Sequence, residues 1–143
     1  MLNYYHISNI INDKDCSYVD QVNLHDYEFI VGPHYIDCHW YAVIIDFPNR
    51  QFHLLDPYGI KDELLEYHFN HWVQFYNRRN DKRVDKWYKM KINHPIQADN
   101  YNCAIFVMNF INFYVNTRRF DFDASNMMNW RTLVADAIKN YSS

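Results

Sequence analysis

The apolar positions along the chain change their spacing several times, and each change marks an element. Residues 1–26 are mixed and polar with weak periodicity, which predicts irregular chain with a short helix near Cys16 to Val22. Tyr27 to Val31 is a short β-type run that should stop at Gly32-Pro33, a loop signal. Trp40-Tyr-Ala-Val-Ile-Ile-Asp-Phe47 is almost continuously apolar, the pattern of a strand buried on both faces. Pro48 to Arg50 reads as a tight turn and Gln51 to Leu55 as the partner strand of a hairpin, ended by Asp56-Pro57-Tyr58-Gly59.

Helical spacing follows. Leu64, Leu65, His68, Trp72, Phe75 and Tyr76 recur every three or four residues and predict a helix over 61–79. Trp87 to Ile92 alternates, predicting a strand with Lys89 and Lys91 on its wet face. Cys103 to Thr117 is apolar nearly all round, so this second helix is expected in the middle of the protein. Ala124 to Tyr141 completes the set, with Trp130, Leu133, Val134 and Ile138 on its buried side. Strands, a helix, a strand, a central helix and a closing helix make an α+β order with the sheet packed on helices.

Composition narrows the function classes. With 143 residues, 49% of them hydrophobic, the whole chain 1–143 reads as a single domain with a sizeable core. No apolar run approaches the roughly 20 residues of a membrane span, and the first residues lack a signal-peptide pattern, so no membrane association is expected. Two glycines cannot supply a phosphate-cradling loop. Three cysteines without CxxC spacing point to a reducing, intracellular setting, nuclear or cytoplasmic.

The net charge of −3 argues against nucleic-acid binding. Residues 78–91 do carry seven basic and two acidic side chains, and Arg78, Arg79, Lys82, Arg83, Lys86 and Lys89 with Trp87 and Tyr88 would suit a stacked single strand. A solvated basic face, or one that meets an acidic protein surface, fits the net charge better. His34, Cys38 and His39, with Cys16, His25 and His53 as further ligands, match no common zinc spacing, and neither a metal nor a cofactor is expected. His68 and His71 read as core-edge and surface residues.

One constellation carries chemistry. His39-Trp40 opens a buried strand and Asp56 closes the next, so an antiparallel pairing would bring His39 and Asp56 to one sheet edge. Cys103 stands where a helix begins, and the unpaired N–H groups and positive dipole end there favour a thiolate. Cys, His and a carboxylate are the parts of an activated thiol nucleophile. Gln97, six residues before Cys103, is placed to join the Cys103 backbone N–H in an oxyanion hole. Singly each has an ordinary structural reading: a small core cysteine, a strand-end histidine, an Asp-Pro turn, a solvated glutamine. Their joint order raises the chemical reading.

The quoted segments resemble the Ulp/SENP group of SUMO-deconjugating cysteine proteases, in the same clan as adenain, the adenovirus protease. The resemblance runs over roughly 27–115, through His39-Trp40 and its apolar strand, Leu54-Leu55-Asp56-Pro57-Tyr58-Gly59, and Gln97-Ala-Asp-Asn-Tyr-Asn-Cys103-Ala104-Ile105-Phe106. It implies a papain-like fold in which a central helix carrying the cysteine packs on a mixed sheet. It also implies His39 as general base, Asp56 as its orienter, Gln97 as oxyanion residue and Cys103 as nucleophile. Trp40 would cover the narrow channel for the Gly-Gly tail of a ubiquitin-like modifier, and the modifier or its conjugates, SUMO-like, would be the partner.

There are departures from that pattern. The family's usual Asp-Cys-Gly reads Asn102-Cys103-Ala104 here, and no tryptophan precedes Trp40 to form the channel's other wall, a place left to a Tyr or Phe. Asp56-Pro57-Tyr58-Gly59 is also similar to the acidic-Pro-aromatic-Gly segment of adenain. Two alternatives follow: an adenain-like protease cutting a viral or transposon polyprotein, and a non-catalytic module of the same fold that grips a modifier.

Overall fold

A computed structural model describes residues 4–12, 14, 17, 19–79 and 86–141. Its centre is a four-stranded sheet in the order β1 (Phe29–Ile36), β2 (His39–Asp46), β3 (Gln51–Leu55), β4 (Tyr88–Met90). The first three strands are antiparallel and β4 runs parallel to β3, so the sheet is mixed and the fold is α+β. Helix α1 (Tyr4–Ile11) and helix α2 (Asp62–Arg79) lie against one face, while α3 (Cys103–Thr117) lies against the other. Helix α4 (Met127–Tyr141) follows α3.

Strand β2 explains the arrangement. Ala42, Val43, Ile44 and Ile45 are all fully buried, and alternate residues serve opposite cores. Val43 and Ile45 pack with Ile7, Ile10 and Ile11 of α1, Leu65, Trp72 and Phe75 of α2, and Trp87. Ala42 and Ile44 pack with Phe106, Val107, Phe110 and Tyr114 of α3, and with Phe122. The continuous apolar run in the sequence is thus two alternating faces, each with its own helical cover.

Several elements depart from the sequence expectation. The first residues hold α1, where irregular chain is expected; Ile7, Ile10 and Ile11 have the helical spacing that buries one side. The short helix expected near Cys16 to Val22 is, in its described part, the 3-10 turn Val19–Gln21, followed by a second at Leu24–Asp26. Cys16 lies outside the described residues. Strand β1 does not stop at Gly32-Pro33 but runs through both, with Pro33 opposite Ala42. The sheet tolerates this because β1 is an edge strand, where a missing N–H costs no ladder bond on the outer side. Helix α3 is not enclosed: Met108 and Val115 are exposed. Leu133 and Ile138 of α4, expected to be buried, are 59% and 63% exposed. They line an open apolar groove of about 530 Å³ with Ile105, Met108, Trp130 and Val134.

The basic stretch is partly neutralised. Lys89 pairs with Glu66 and Lys91 with Asp62, and Arg79 lies 3.6 Å from Asp20 while donating to the Val22 carbonyl. Lys82 and Arg83 lie outside the described residues.

His68 is buried, not at the core edge. Its Nδ1 and that of His71 both lie 3.0 Å from the Ile11 carbonyl, which ties α2 to the end of α1. His34 is buried beside it, with ring centroids 5.0 Å apart. Burial, then the nearby His68, holds His34 down at about 4; burial alone does the same for His53, against a small opposing pull from Asp46. Folded pKa values below the unfolded value of about 6.5 mean that stability is complete above that pH and drains away as pH falls toward 4. Melting curves should therefore superpose at pH 7 and 8 and shift down between pH 6.5 and 4. His34→Phe should flatten that slope, and an unchanged slope would remove His34 as a cause.

Candidate active site

His39 owes its place to a two-residue turn. Asp37 and Cys38 both have positive φ, as a type I′ hairpin connection requires, and this sets Ile36 opposite His39 at the start of β2. The β2–β3 ladder pairs Ala42 with Leu55, so the residue after β3, Asp56, arrives at the same sheet end. His39 Nε2 and Asp56 Oδ1 are 2.7 Å apart. Asp56 is only 7% exposed, and the same Oδ1 accepts the Tyr58 backbone N–H at 2.8 Å. The turn closes with Gly59 N–H donating to the Asp56 carbonyl at 2.8 Å, and Gly59 has φ +94°, which favours glycine.

Two aromatic rings frame the imidazole. Tyr58 stacks on it, centroids 5.0 Å apart and planes 21° apart, and Tyr41 meets it edge-on at 4.8 Å. With Nε2 committed to Asp56, Nδ1 is the nitrogen available for a thiol proton. An open depression of about 670 Å³ adjoins the pair, lined among others by Asp37, Tyr41, Glu63 and Tyr67.

Cys103 is the first residue of α3 and is partly exposed. Asn102, the preceding residue, makes no side-chain cap bond to the helix. Partial desolvation lifts the Tyr58 phenol above its ordinary value, and the nearby Cys103, Asp99 and Asp56 act in the same direction, which puts Tyr58 within reach of both the cysteine and the His39–Asp56 pair.

Gln97 is buried, 3% exposed. Its backbone N–H donates to the Pro57 carbonyl at 2.7 Å, and its Nε2 donates to Asp99 Oδ1 at 2.9 Å with Tyr58 Oη at 3.5 Å. Tyr58 Oη in turn donates to the Asp99 carbonyl at 2.8 Å. The loop before α3 is therefore stitched to the turn after β3. Trp40 lies on the α3 side of the sheet, partly buried, with the Tyr35 ring 4.7 Å away across the β1–β2 pair.

Tyr58 and Asp99 are the residues that sequence reasoning passed over. Asp99 accepts from Tyr101 N, Asn102 N and Asn102 Nδ2 as well as from Gln97. Burial pushes its carboxyl up, but these hydrogen bonds outweigh burial and hold it at about 2. The run Asp99-Asn100-Tyr101-Asn102 is a local turn signal, since an Asp side chain accepts from backbone N–H groups two and three residues on. Among the described residues no group of three or more His, Cys, Asp or Glu is placed to hold a metal ion.

The family described as the Ulp1 protease family, C-terminal catalytic domain, matches residues 8–143. The chain belongs to this family. A sequence from Arabidopsis thaliana, provisionally named ubiquitin-like-specific protease 1B, is 26% identical over 121 residues, which cover 81% of this chain and 36% of that one. Among solved structures, SUMO protease Ulp1 with its catalytic cysteine oxidised to a sulfenic acid superposes with a TM-score of 0.76 at 16% identity, covering 88% of this chain and 59% of that chain. The C-terminal Ulp1 protease domain in complex with Smt3, the yeast ortholog of SUMO, also gives 0.76, at 14% identity, covering 91% and 62%. At such identities the likeness is one of fold. The chain spans less than two thirds of each of these relatives' lengths.

Asp56 accepts from both the Tyr58 backbone and His39, so its two substitutions should separate. Asp56→Asn keeps an acceptor for Tyr58 N–H and should melt within a few degrees of the parent. Asp56→Ala removes the acceptor of the part-buried Tyr58 N–H and should lose about 1 kcal/mol in denaturant titration.

Proposed function

We propose that this domain is a cysteine peptidase that cleaves after the Gly-Gly-type tail of a ubiquitin-like modifier of the SUMO class. The observation that carries the proposal is the 2.7 Å His39–Asp56 bond beside a helix that begins with Cys103. Family membership supports the peptidase class. The modifier is suggested by the solved relative bound to Smt3 and by the name of the Arabidopsis thaliana relative.

In this reading Asp56 holds the His39 tautomer that carries hydrogen on Nε2, leaving the Nδ1 lone pair to take the Cys103 proton. The thiolate attacks the carbonyl carbon of the terminal glycine. The oxyanion that forms is met by the N–H groups opening α3 and by the second Gln97 amide proton, whose contact with Tyr58 Oη at 3.5 Å is long enough to exchange for a substrate oxygen. The His39 imidazolium then protonates the leaving amine, a thioester remains on Cys103, and water activated by His39 releases the tail as a carboxylate. Trp40, with Tyr35 beside it, is the proposed aromatic wall over the tail.

Purified protein mixed with propargyl or vinyl-sulfone probes built on SUMO, NEDD8 and ubiquitin should give one covalent adduct with the SUMO probe, absent in Cys103→Ala. His39→Ala should reduce turnover almost to the Cys103→Ala level. Gln97→Ala should lower kcat by about 10²–10³-fold with KM nearly constant. Fast iodoacetamide labelling of Cys103 without any probe adduct would retire the modifier and favour a polyprotein substrate. A thiol inert to every reagent would retire the peptidase.

A further inference from the structure

We infer that Asp99 is a positioning residue for this site, acting through Gln97 and Asn102 rather than on the substrate. The inference rests on the reading of Gln97 and Cys103 given above. Asp99 uses both carboxylate oxygens: Oδ1 takes Gln97 Nε2 at 2.9 Å, Tyr101 N at 3.0 Å and Asn102 N at 2.9 Å, and Oδ2 takes Asn102 Nδ2 at 2.6 Å. Its carbonyl takes Tyr58 Oη at 2.8 Å. One residue thus binds the glutamine amide, the residue before the cysteine and the ring stacked on His39.

The polarity of this arrangement is determined throughout. An amide flip of Gln97 would set its oxygen against the Asp99 carboxylate, so the carboxylate dictates which end of the amide is the donor. Asn102 is held in the same way from both sides. Its Nδ2 faces Asp99, and its Oδ1 accepts from Arg131 of α4 at 2.8 Å, with Asn102 only 4% exposed. An asparagine at a helix N-cap commonly bonds the first-turn N–H groups through that oxygen. Here the oxygen belongs to Arg131, and the asparagine makes no cap bond. The first-turn N–H groups at Cys103 are thereby spared for a thiolate or an oxyanion. The chain Arg131–Asn102–Asp99–Gln97 sets donor direction at the site from 29 residues beyond Asn102.

The geometry also dictates a swap test. Asp99→Asn keeps an acceptor but turns an N–H₂ toward Asn102 Nδ2, donor against donor. Asn102→Asp sets two carboxylates face to face. The double substitution Asp99→Asn with Asn102→Asp restores the pairing between the two positions. The new amide at the first position donates to the new carboxylate at the second, and that carboxylate still pairs with Arg131.

Two readouts distinguish failure of this inference from failure of the peptidase reading. One is turnover of a SUMO C-terminal fluorogenic substrate. The other is NMR exchange of the Gln97 side-chain amide and the Tyr101 and Asn102 backbone N–H groups. Asp99→Asn should lower kcat by about 10- to 100-fold with KM little changed and speed exchange at these amides, and the swap should restore both. If the parent turns over nothing, exchange that quickens in the single variant and recovers in the swap still upholds the positioning role. Unchanged exchange in Asp99→Asn overturns it, as does a loss of activity that only tracks the folded fraction and is not recovered by the swap.

Discussion

The antiparallel ladder between β2 and β3 is the constraint from which the site follows. With Ala42 opposite Leu55, the start of one strand and the end of the other share a sheet end, and residues 17 positions apart meet as the His39–Asp56 pair. The ladder is held by burial on both faces. Val43 and Ile45 bind it to α1 and α2, and Ala42, Ile44 and Leu55 bind it to α3. A one-residue slip would exchange these two faces wholesale, placing side chains shaped for one core in the other. The register that protects the cores is therefore the register that aligns the histidine with its carboxylate.

A second layer of control lies in polar groups that the apolar cores do not specify. Tyr58 is exposed, yet its ring stacks on His39 and its hydroxyl reaches the Asp99 carbonyl. Asp99 gathers four donors from a six-residue loop. Charge-assisted bonds of this kind are stronger than neutral ones, and they suit a loop that must hold one geometry without apolar cover. The link from Asn102 to Arg131 gives α4, otherwise loosely covered, a polar tie to the start of α3.

Much is readable from local pattern. The limits of β3, α2 and α3 follow from period changes and turn residues; His39, Asp56 and Cys103 stand out from their positions at element ends, and Gln97 from its spacing of six residues before Cys103. What escapes depends on neighbours. Strand β1 passes through Gly32-Pro33 because it occupies a sheet edge, which no local signal states. Helix α4 has an amphipathic sequence, but whether its apolar side is covered depends on how closely it meets α3, and Leu133 and Ile138 remain in the open. His68 escapes for the same reason: it is buried against both the Ile11 carbonyl at the end of α1 and the His34 ring of β1, and the polar start of the chain obscures that helix.

The sequence by itself determined the α+β order, the two-faced character of β2 and the chemical identity of the residues at the sheet end, because these depend on side-chain period and type. Only the tertiary structure decided which ring nitrogen of His39 meets Asp56, which way the Gln97 amide points and what Asn102 bonds in place of its own helix. Those choices depend on hydrogen-bond direction between segments distant in the chain. Direction is a property of assembled geometry, and composition and spacing do not encode it.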